Sequence, residues 1–283
     1  MNYTERIEEI VAQAPKNATP EVLKTCFSFM DLTTLRTEDT PASVMKLVEK
    51  VNNLAVEFPA YPSPASICVY PNFASLVRNG RKNPELHVTT VSSCFPSAQS
   101  YLEVKVLECG MAVRGGADEI DIVLALNSFL AGNTAAASEE IVAMKKAIDE
   151  EAAAAGRKVV LKVILETGLL QTPELISDAS FLAMEAGADF IKTSTGKVAV
   201  NATPLAACVM CDCISEYYKK TGRKVGFKAA GGISTADDAV KYYTIGETIL
   251  GKEWMVKDTF RFGVSRVGNS LISAIEGREV IYF

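Results

Sequence analysis

The chain reads as an α/β protein, a (β/α)8 TIM barrel preceded by a short N-terminal helical extension, and three observations predict it. Short apolar or β-branched runs recur eight times, with helical stretches between them. Their spacing, roughly 33 residues per unit, is the length of a strand–helix–strand crossover, and eight such units close a barrel. Most of the runs are apolar on both faces, as parallel strands covered by helices are. The 283 residues suit a fold that needs about 250, so residues 1–283 are expected to form one barrel domain. A doubly wound open sheet is the competing fold, but no G-x-G-x-x-G turn follows the first strand.

In order, the opening MNYTERIEEIVAQ predicts a short polar-faced helix and lacks the apolar core of a signal peptide. The strands are expected at FSFMDLTTL (27–35), SICVY (66–70), HVTTVSS (87–93), EIDIVLA (119–125), KVVLKVILE (158–166), DFIKTST (189–195), KVGFKA (224–229) and FRFGVS (260–265). Between them, Gln99 to Gly110, Ser138 to Ala155 and Pro173 to Ala186 carry Ala, Glu and Lys at helical spacing. Thr172 is placed to cap the last of these, with Pro173 as its first residue. The Gly-Ala-Asp triplets at 116–118 and 187–189 fit left-handed glycine caps just before strands.

Composition excludes several functions. A net charge of −5 leaves no basic stripe for nucleic acid, and no apolar run approaches the roughly 18 residues of a membrane span. Seven cysteines without a signal peptide fit reduced thiols in the cytoplasm. The single histidine, His87, is too few for a usual catalytic zinc site and is expected to be a solvated imidazole at a strand end. Cys208, Cys211 and Cys213 fall in a helical stretch where 208 and 211 share a face and 213 points away, so no metal is expected.

Ionisable residues interrupt the strands. In EIDIVLA, Ile120 and Ile122 share one face, so Asp121 points the other way, into the barrel. The same parity puts Lys162 and Glu166 inside on strand five, Lys192 on strand six and Lys228 on strand seven. Buried charges are costly unless paired. Lys162 taken alone is equally well explained as part of a structural ion pair. Lys192 and Lys228 are different, because they fall late in adjacent strands, near the catalytic face of such a barrel. Two ammonium groups facing each other depress one pKa, and a lysine so activated is the nucleophile of Schiff-base chemistry. An ordinary lysine is only about 0.04% neutral at pH 7. Glycines beside small polar residues follow strands six, seven and eight, at Thr195-Gly196-Lys197, Gly231-Gly232-Ile233-Ser234 and Gly263-Val264-Ser265. Loops after strands seven and eight are the usual phosphate site of this fold.

The segments ADEIDIVLALNSFLAGN, LKVILETG, ADFIKTSTGKVAVNATP and FKAAGGIST, with DLTTL at 31–35 and ICVYP at 67–71, resemble the deoxyribose-phosphate aldolase family over nearly the whole chain. The resemblance implies a cofactor-free class I aldolase that cleaves 2-deoxyribose 5-phosphate to acetaldehyde and glyceraldehyde 3-phosphate. It makes Lys192 the Schiff-base nucleophile, Lys228 the lysine that lowers its pKa, and Asp121 a proton relay through water. It makes Asp31, Thr33, Leu35, Cys68 and Thr195 pocket-lining residues. Gly196, Lys197, Gly231, Gly232 and Ser265 would hold the phosphate. A homo-oligomer, a dimer, is expected as well.

Three positions in two motifs depart from the family pattern. The turn after strand three reads Phe95-Pro96-Ser97-Ala98 where Phe-Pro-His-Gly is common, and Arg266 stands where a second serine is usual. Two other readings stay open beside the main one: a divergent barrel kept for binding or scaffolding with weak activity, and a Schiff-base aldolase for another sugar phosphate. Finally, family members often carry a tail whose last tyrosine reaches the active site. Here the last helix is expected to run from Arg266 to Glu276. At ~1.5 Å per helical residue and at most ~3.6 Å per extended residue, Tyr282 is expected to fall short of its own active site and to serve packing or a subunit contact instead.

Overall fold

The computed structural model describes residues 3–283. All eight expected strands form: β1 (Met30–Thr33), β2 (Ser66–Val69), β3 (His87–Val91), β4 (Glu119–Val123), β5 (Val160–Ile164), β6 (Phe190–Lys192), β7 (Gly226–Ala230) and β8 (Phe260–Val264). They are parallel and close into a barrel in sequence order, with β8 pairing back onto β1 through Met30 and Phe262. Each is shorter than the apolar run that predicted it, because hydrophobic runs continue past the ladder into buried loops.

The outer helices start where the sequence supplies a threonine. Thr19, Thr40, Thr172, Thr203 and Thr235 each accept a hydrogen bond from the backbone three residues on, at 3.1–3.3 Å. Proline follows in four of the five, at Pro20, Pro41, Pro173 and Pro204, with its φ preset for a first helical position. Such a cap contributes about 1 kcal/mol. The helix expected after Thr172 spans Pro173–Glu185. The one expected over 99–110 spans Leu102–Arg114 instead. Gly110, read as an end, sits inside that helix beside the Arg114 and Glu151 side chains, where a Cβ would make only ordinary contacts. The helix expected over 138–155 begins earlier, at Thr134 under an Asn133 cap. Gly116 and Gly187 do adopt positive φ, +101° and +106°. The N-terminal extension comprises Tyr3–Val11, Ala14–Asn17 and Pro20–Ser28. Met1 and Asn2 of the expected first helix lie outside the described residues. No helix among the described residues is long and apolar enough to cross a membrane.

The main apolar core lies between strands and helices, where Ile120, Ile122, Leu161, Val163, Ile191 and Phe227 are fully buried. The barrel interior differs. Its lower and middle layers hold charges, and only its upper layer holds small apolar clusters: Leu35, Cys68 and Val91 in one, Ala98, Val123 and Ile164 in the other, with Phe95 packed on both. The tail folds back on the outer wall. Asn269 accepts hydrogen bonds from the backbone of Tyr282 and Phe283, at 2.9 and 2.8 Å. The Tyr282 hydroxyl donates to the Lys50 carbonyl at 2.7 Å, and its ring packs edge-on against Phe58.

Register also explains a glycine. Gly226 pairs with Phe190 across β6 and β7, and a Cβ there would meet the Phe190 ring at 2.3 Å. That ring faces the buried Lys162 and Arg261 cations, 6.0 and 5.8 Å from its centroid, and has no free space to retreat into. Gly226→Ala is therefore expected to destabilise the fold by about 2 kcal/mol, the usual order for overpacking. Denaturant unfolding with an unchanged midpoint would contradict this packing.

Candidate active site

The site grows from strand parity and register. Ile120 and Ile122 face the helices, so Asp121 enters the barrel, where it is fully buried. Lys162 lies beside it in register on β5. Lys192 and Lys228 are Cα partners across β6 and β7. Glycine at 263 on β8 leaves room for the Lys228 stem, which passes 3.2 Å from where a Cβ would stand. Three lysines thus converge on one carboxylate. Lys162 Nζ donates to Asp121 Oδ1 at 3.1 Å, while Lys192 Nζ and Lys228 Nζ share Oδ2 at 2.7 and 2.8 Å.

Beneath them lies a second set of charges. Asp31 pairs through Oδ2 with Lys228 at 2.5 Å and with Lys162 at 3.3 Å, and through Oδ1 with Arg261 at 2.6 Å. Glu119 accepts from Arg261 at 2.7 and 3.1 Å, from the Thr89 hydroxyl at 2.8 Å, and from Lys162. His87 closes this layer at the barrel floor, its Nδ1 2.7 Å from Glu119 Oε1. Its side chain is 33% exposed, so the imidazole is at a strand end as expected, yet tied to a buried carboxylate rather than simply solvated.

The electrostatics separate the two upper lysines. Burial pushes the Lys192 ammonium down, and although Asp121 opposes this, the neighbouring Lys228 cation adds to it, leaving Lys192 below an ordinary lysine. Burial would push Lys228 down too, but Asp121 and Asp31 together outweigh it and hold it well above the usual range. Lys192 has one carboxylate partner and Lys228 has two. Asp121 overcomes its own burial through Lys162, Lys192 and Lys228 and lies far below an ordinary carboxylate. Burial pushes the Cys68 thiol up to about 11.

The remaining expected residues occupy the mouth or its approach. Leu35 and Cys68 share an apolar cluster. The Thr33 hydroxyl donates to the Asp31 carbonyl at 2.8 Å. Asp31, expected in the pocket lining, lies one layer lower, completely buried beneath Lys228. Glu166, expected inside on strand five, lies just past β5 and does not touch the lysines; it accepts hydrogen bonds from Thr195 instead. Lys197 sends its ammonium to the Leu35 carbonyl at 2.6 Å, bridging the loops that follow β6 and β1. Gly196, Gly231 and Gly232 have φ of +79°, +78° and +77°. Gly232 and Ser265 are exposed at the ends of β7 and β8, and the exposed Arg266 follows Ser265 immediately before the helix Val267–Glu276. Cys208, Cys211 and Cys213 are all buried in the helix Pro204–Thr221. Arg261 and Glu119 were missed in the sequence, although parity reveals both: Phe260 and Phe262 flank Arg261, and Glu119 shares its face with Asp121.

A buried lysine pair over a carboxylate, at the C-terminal end of a closed parallel barrel, marks the chain as an aldolase-type barrel protein. The sequence profile of the DeoC/LacD family aldolases matches residues 25–265, and the chain belongs to that family. Among solved structures it is similar to a chain from Toxoplasma gondii ME49 described as a deoxyribose-phosphate aldolase, with 24% identity over 91% of this chain and 94% of that one, TM-score 0.73. The tetrameric deoxyribose phosphate aldolase from Aeropyrum pernix is 24% identical over 95% and 97%, TM-score 0.68. An aldolase called QR15 is 28% identical over 89% and 94%, TM-score 0.67.

The ion network dictates an acid limit. A carboxylate whose folded pKa is depressed stabilises the fold above its unfolded pKa and loses that contribution as pH falls through the folded value. Lys162, Lys228 and Arg261 overcome burial to hold Asp31 at about 2, against an ordinary 3.8. Asp31 alone is expected to withdraw about 2 kcal/mol between pH 3.8 and 2, and Asp121 and Glu119, also held down, add to the loss over the same window and below it. Unfolding free energy measured across that window should fall steeply; a flat profile would contradict the pairing.

Proposed function

We propose that the chain is a class I aldolase that cleaves 2-deoxy-D-ribose 5-phosphate to acetaldehyde and glyceraldehyde 3-phosphate through a Schiff base on Lys192. The observation that carries this reading is the asymmetry of the two lysines on Asp121 Oδ2: Lys192 pairs with that carboxylate alone, whereas Lys228 pairs with Asp31 as well, so Lys192 is pushed down and Lys228 is held up as the cation at rest. A neutral amine is the competent nucleophile, and Lys192, 4% exposed, is the member of the trio nearest the mouth.

The steps balance on these residues. Neutral Lys192 Nζ attacks the aldehyde carbon C1 of the open-chain sugar. Lys228 donates a proton to the resulting hydroxyl, which leaves as water and gives the protonated imine. Acetaldehyde takes C1 and C2, so the C2–C3 bond breaks. Its electrons flow into the imine to give an enamine, and the C3 hydroxyl proton leaves through water to the Asp121–Lys228 pair. That proton returns to C2, and water hydrolyses the protonated acetaldehyde imine, freeing neutral Lys192 and handing the released proton back to Lys228. Thr33, Leu35, Cys68 and Thr195 line the approach. Gly196, Lys197, Gly231, Gly232 and Ser265 receive the phosphate, and Arg266 offers a second cation beside Ser265.

The reading extends to a cytoplasmic enzyme acting as a dimer. Tyr101, Val104, Leu107 and Met111 supply an exposed apolar stripe, 46–80% accessible, along one face of the helix Leu102–Arg114, a surface suited to a second copy. A monomer by light scattering at micromolar concentration would remove that part of the reading.

The test is cleavage of 2-deoxyribose 5-phosphate by the wild type and by Lys228→Met. The wild type should release acetaldehyde, which a barrel kept only for binding would not do. Lys228→Met should lose at least about tenfold in turnover at pH 7, since it removes both the acid and the cation that lowers Lys192. Part of the loss should return as pH rises, because the unassisted amine then deprotonates on its own. A variant with the wild-type rate and pH profile would contradict the assigned division of labour.

A further inference from the structure

Glu166 is a buried carboxylate that the proposed mechanism does not use. It follows β5 and precedes the short helix Thr167–Leu170, with φ 54° and ψ 57°, in the left-handed region. Gln171, at the other end of that helix, is left-handed too. Such a backbone costs a non-glycine residue roughly 1–2 kcal/mol, and glycine would relieve it at 166. A side chain retained at that cost points to a task for the side chain.

The task is visible in its partners. Glu166 Oε1 accepts the Thr195 backbone N–H at 3.1 Å, and Oε2 accepts the Thr195 hydroxyl. With its proton so committed, the Thr195 oxygen turns its lone pairs to the Lys197 N–H, at 3.0 Å. One carboxylate therefore sets three consecutive residues, 195–197. A second contact seats the same loop: a Cβ on Gly168 would lie 2.0 Å from the Val200 carbonyl oxygen, so the turn after β5 rests directly against the loop after β6.

We propose that Glu166 is a positioning residue for phosphate selectivity. It holds Thr195-Gly196-Lys197 where the 5-phosphate of the substrate arrives, and so favours phosphorylated over unphosphorylated sugars. The inference rests on the aldolase reading above. Glutamine cannot replace this carboxylate, because both groups facing it are donors and a carboxamide offers one acceptor and one donor. The hydroxyl could reverse towards the amide, but its own proton would then lack an acceptor, and the Lys197 N–H would be displaced.

The experiment compares kcat/KM for 2-deoxyribose 5-phosphate and for 2-deoxyribose in the wild type, Glu166→Gln and Gly168→Ala, with thermal unfolding checked for each. Glu166→Gln should lower the phosphate-to-sugar preference at least about tenfold, through KM, while kcat/KM on 2-deoxyribose stays within about twofold. Gly168→Ala, which pushes the Val200 loop without touching any carboxylate, should lower the same ratio and decides the matter should Glu166→Gln fail to fold. Equal losses on both sugars would make Glu166 a general wall residue and overturn the proposal, and so would an unchanged ratio. A wild type that cleaves neither sugar would overturn the aldolase reading, and this inference with it.

Discussion

Everything inside the barrel depends on one carboxylate that must neutralise three ammonium groups. Asp121 has two oxygens for Lys162, Lys192 and Lys228, so two of the lysines share one oxygen. Sharing leaves the trio with excess positive charge, and in a dry interior that excess is expensive. The floor supplies the remainder, with Asp31 under Lys228 and Lys162, and Glu119 under Lys162 and Arg261. Because the compensation comes from below, the uppermost lysine receives least of it. Lys192 is left with the carboxylate it shares, burial, and a cation beside it. The gradient of neutralisation down the barrel axis is what the proposed reading uses to set Lys192 as the nucleophile and Lys228 as the cation at rest.

Such a network is weak support for stability in itself, since buried ion pairs often do no better than well-packed apolar residues. In many barrels of this fold the same interior positions are filled by layers of Val, Ile and Leu. Here the apolar layer is confined to the mouth, around Leu35, Val91, Val123 and Ile164. A greasy rim over a charged well keeps bulk water from the amine, and under the proposed reading it gives the two-carbon end of the sugar a dry seat.

Strand parity made much of this legible in the sequence. The alternation around Asp121 and Lys228 follows from the pleat alone, and the barrel itself follows from eight buried runs spaced like crossover units. Parity says which way a side chain points but not how far it reaches or how high it sits. Asp31 was expected in the pocket lining from the family resemblance alone, and nothing local marked it as a floor residue one layer below. Arg261 was readable as interior from Phe260 and Phe262 on either side, but no local signal named its partners Asp31 and Glu119, 230 and 142 positions away. Glu166 lies beyond the last ladder pair, where the backbone turns left-handed and alternation no longer applies. Gly110 looked like a helix end because glycine so often is one, although it stands mid-helix where nothing crowds a Cβ. Loop partners such as Lys197 and Leu35, 162 positions apart, leave no local signal.

The central claim is that this gradient selects Lys192 and no other lysine. The direct measurement is borohydride trapping with acetaldehyde at neutral pH, followed by peptide mapping of the reduced adduct. The account predicts a single two-carbon adduct on Lys192, with Lys228 and Lys162 unmodified. An adduct on Lys228 or Lys162 with Lys192 untouched would contradict it.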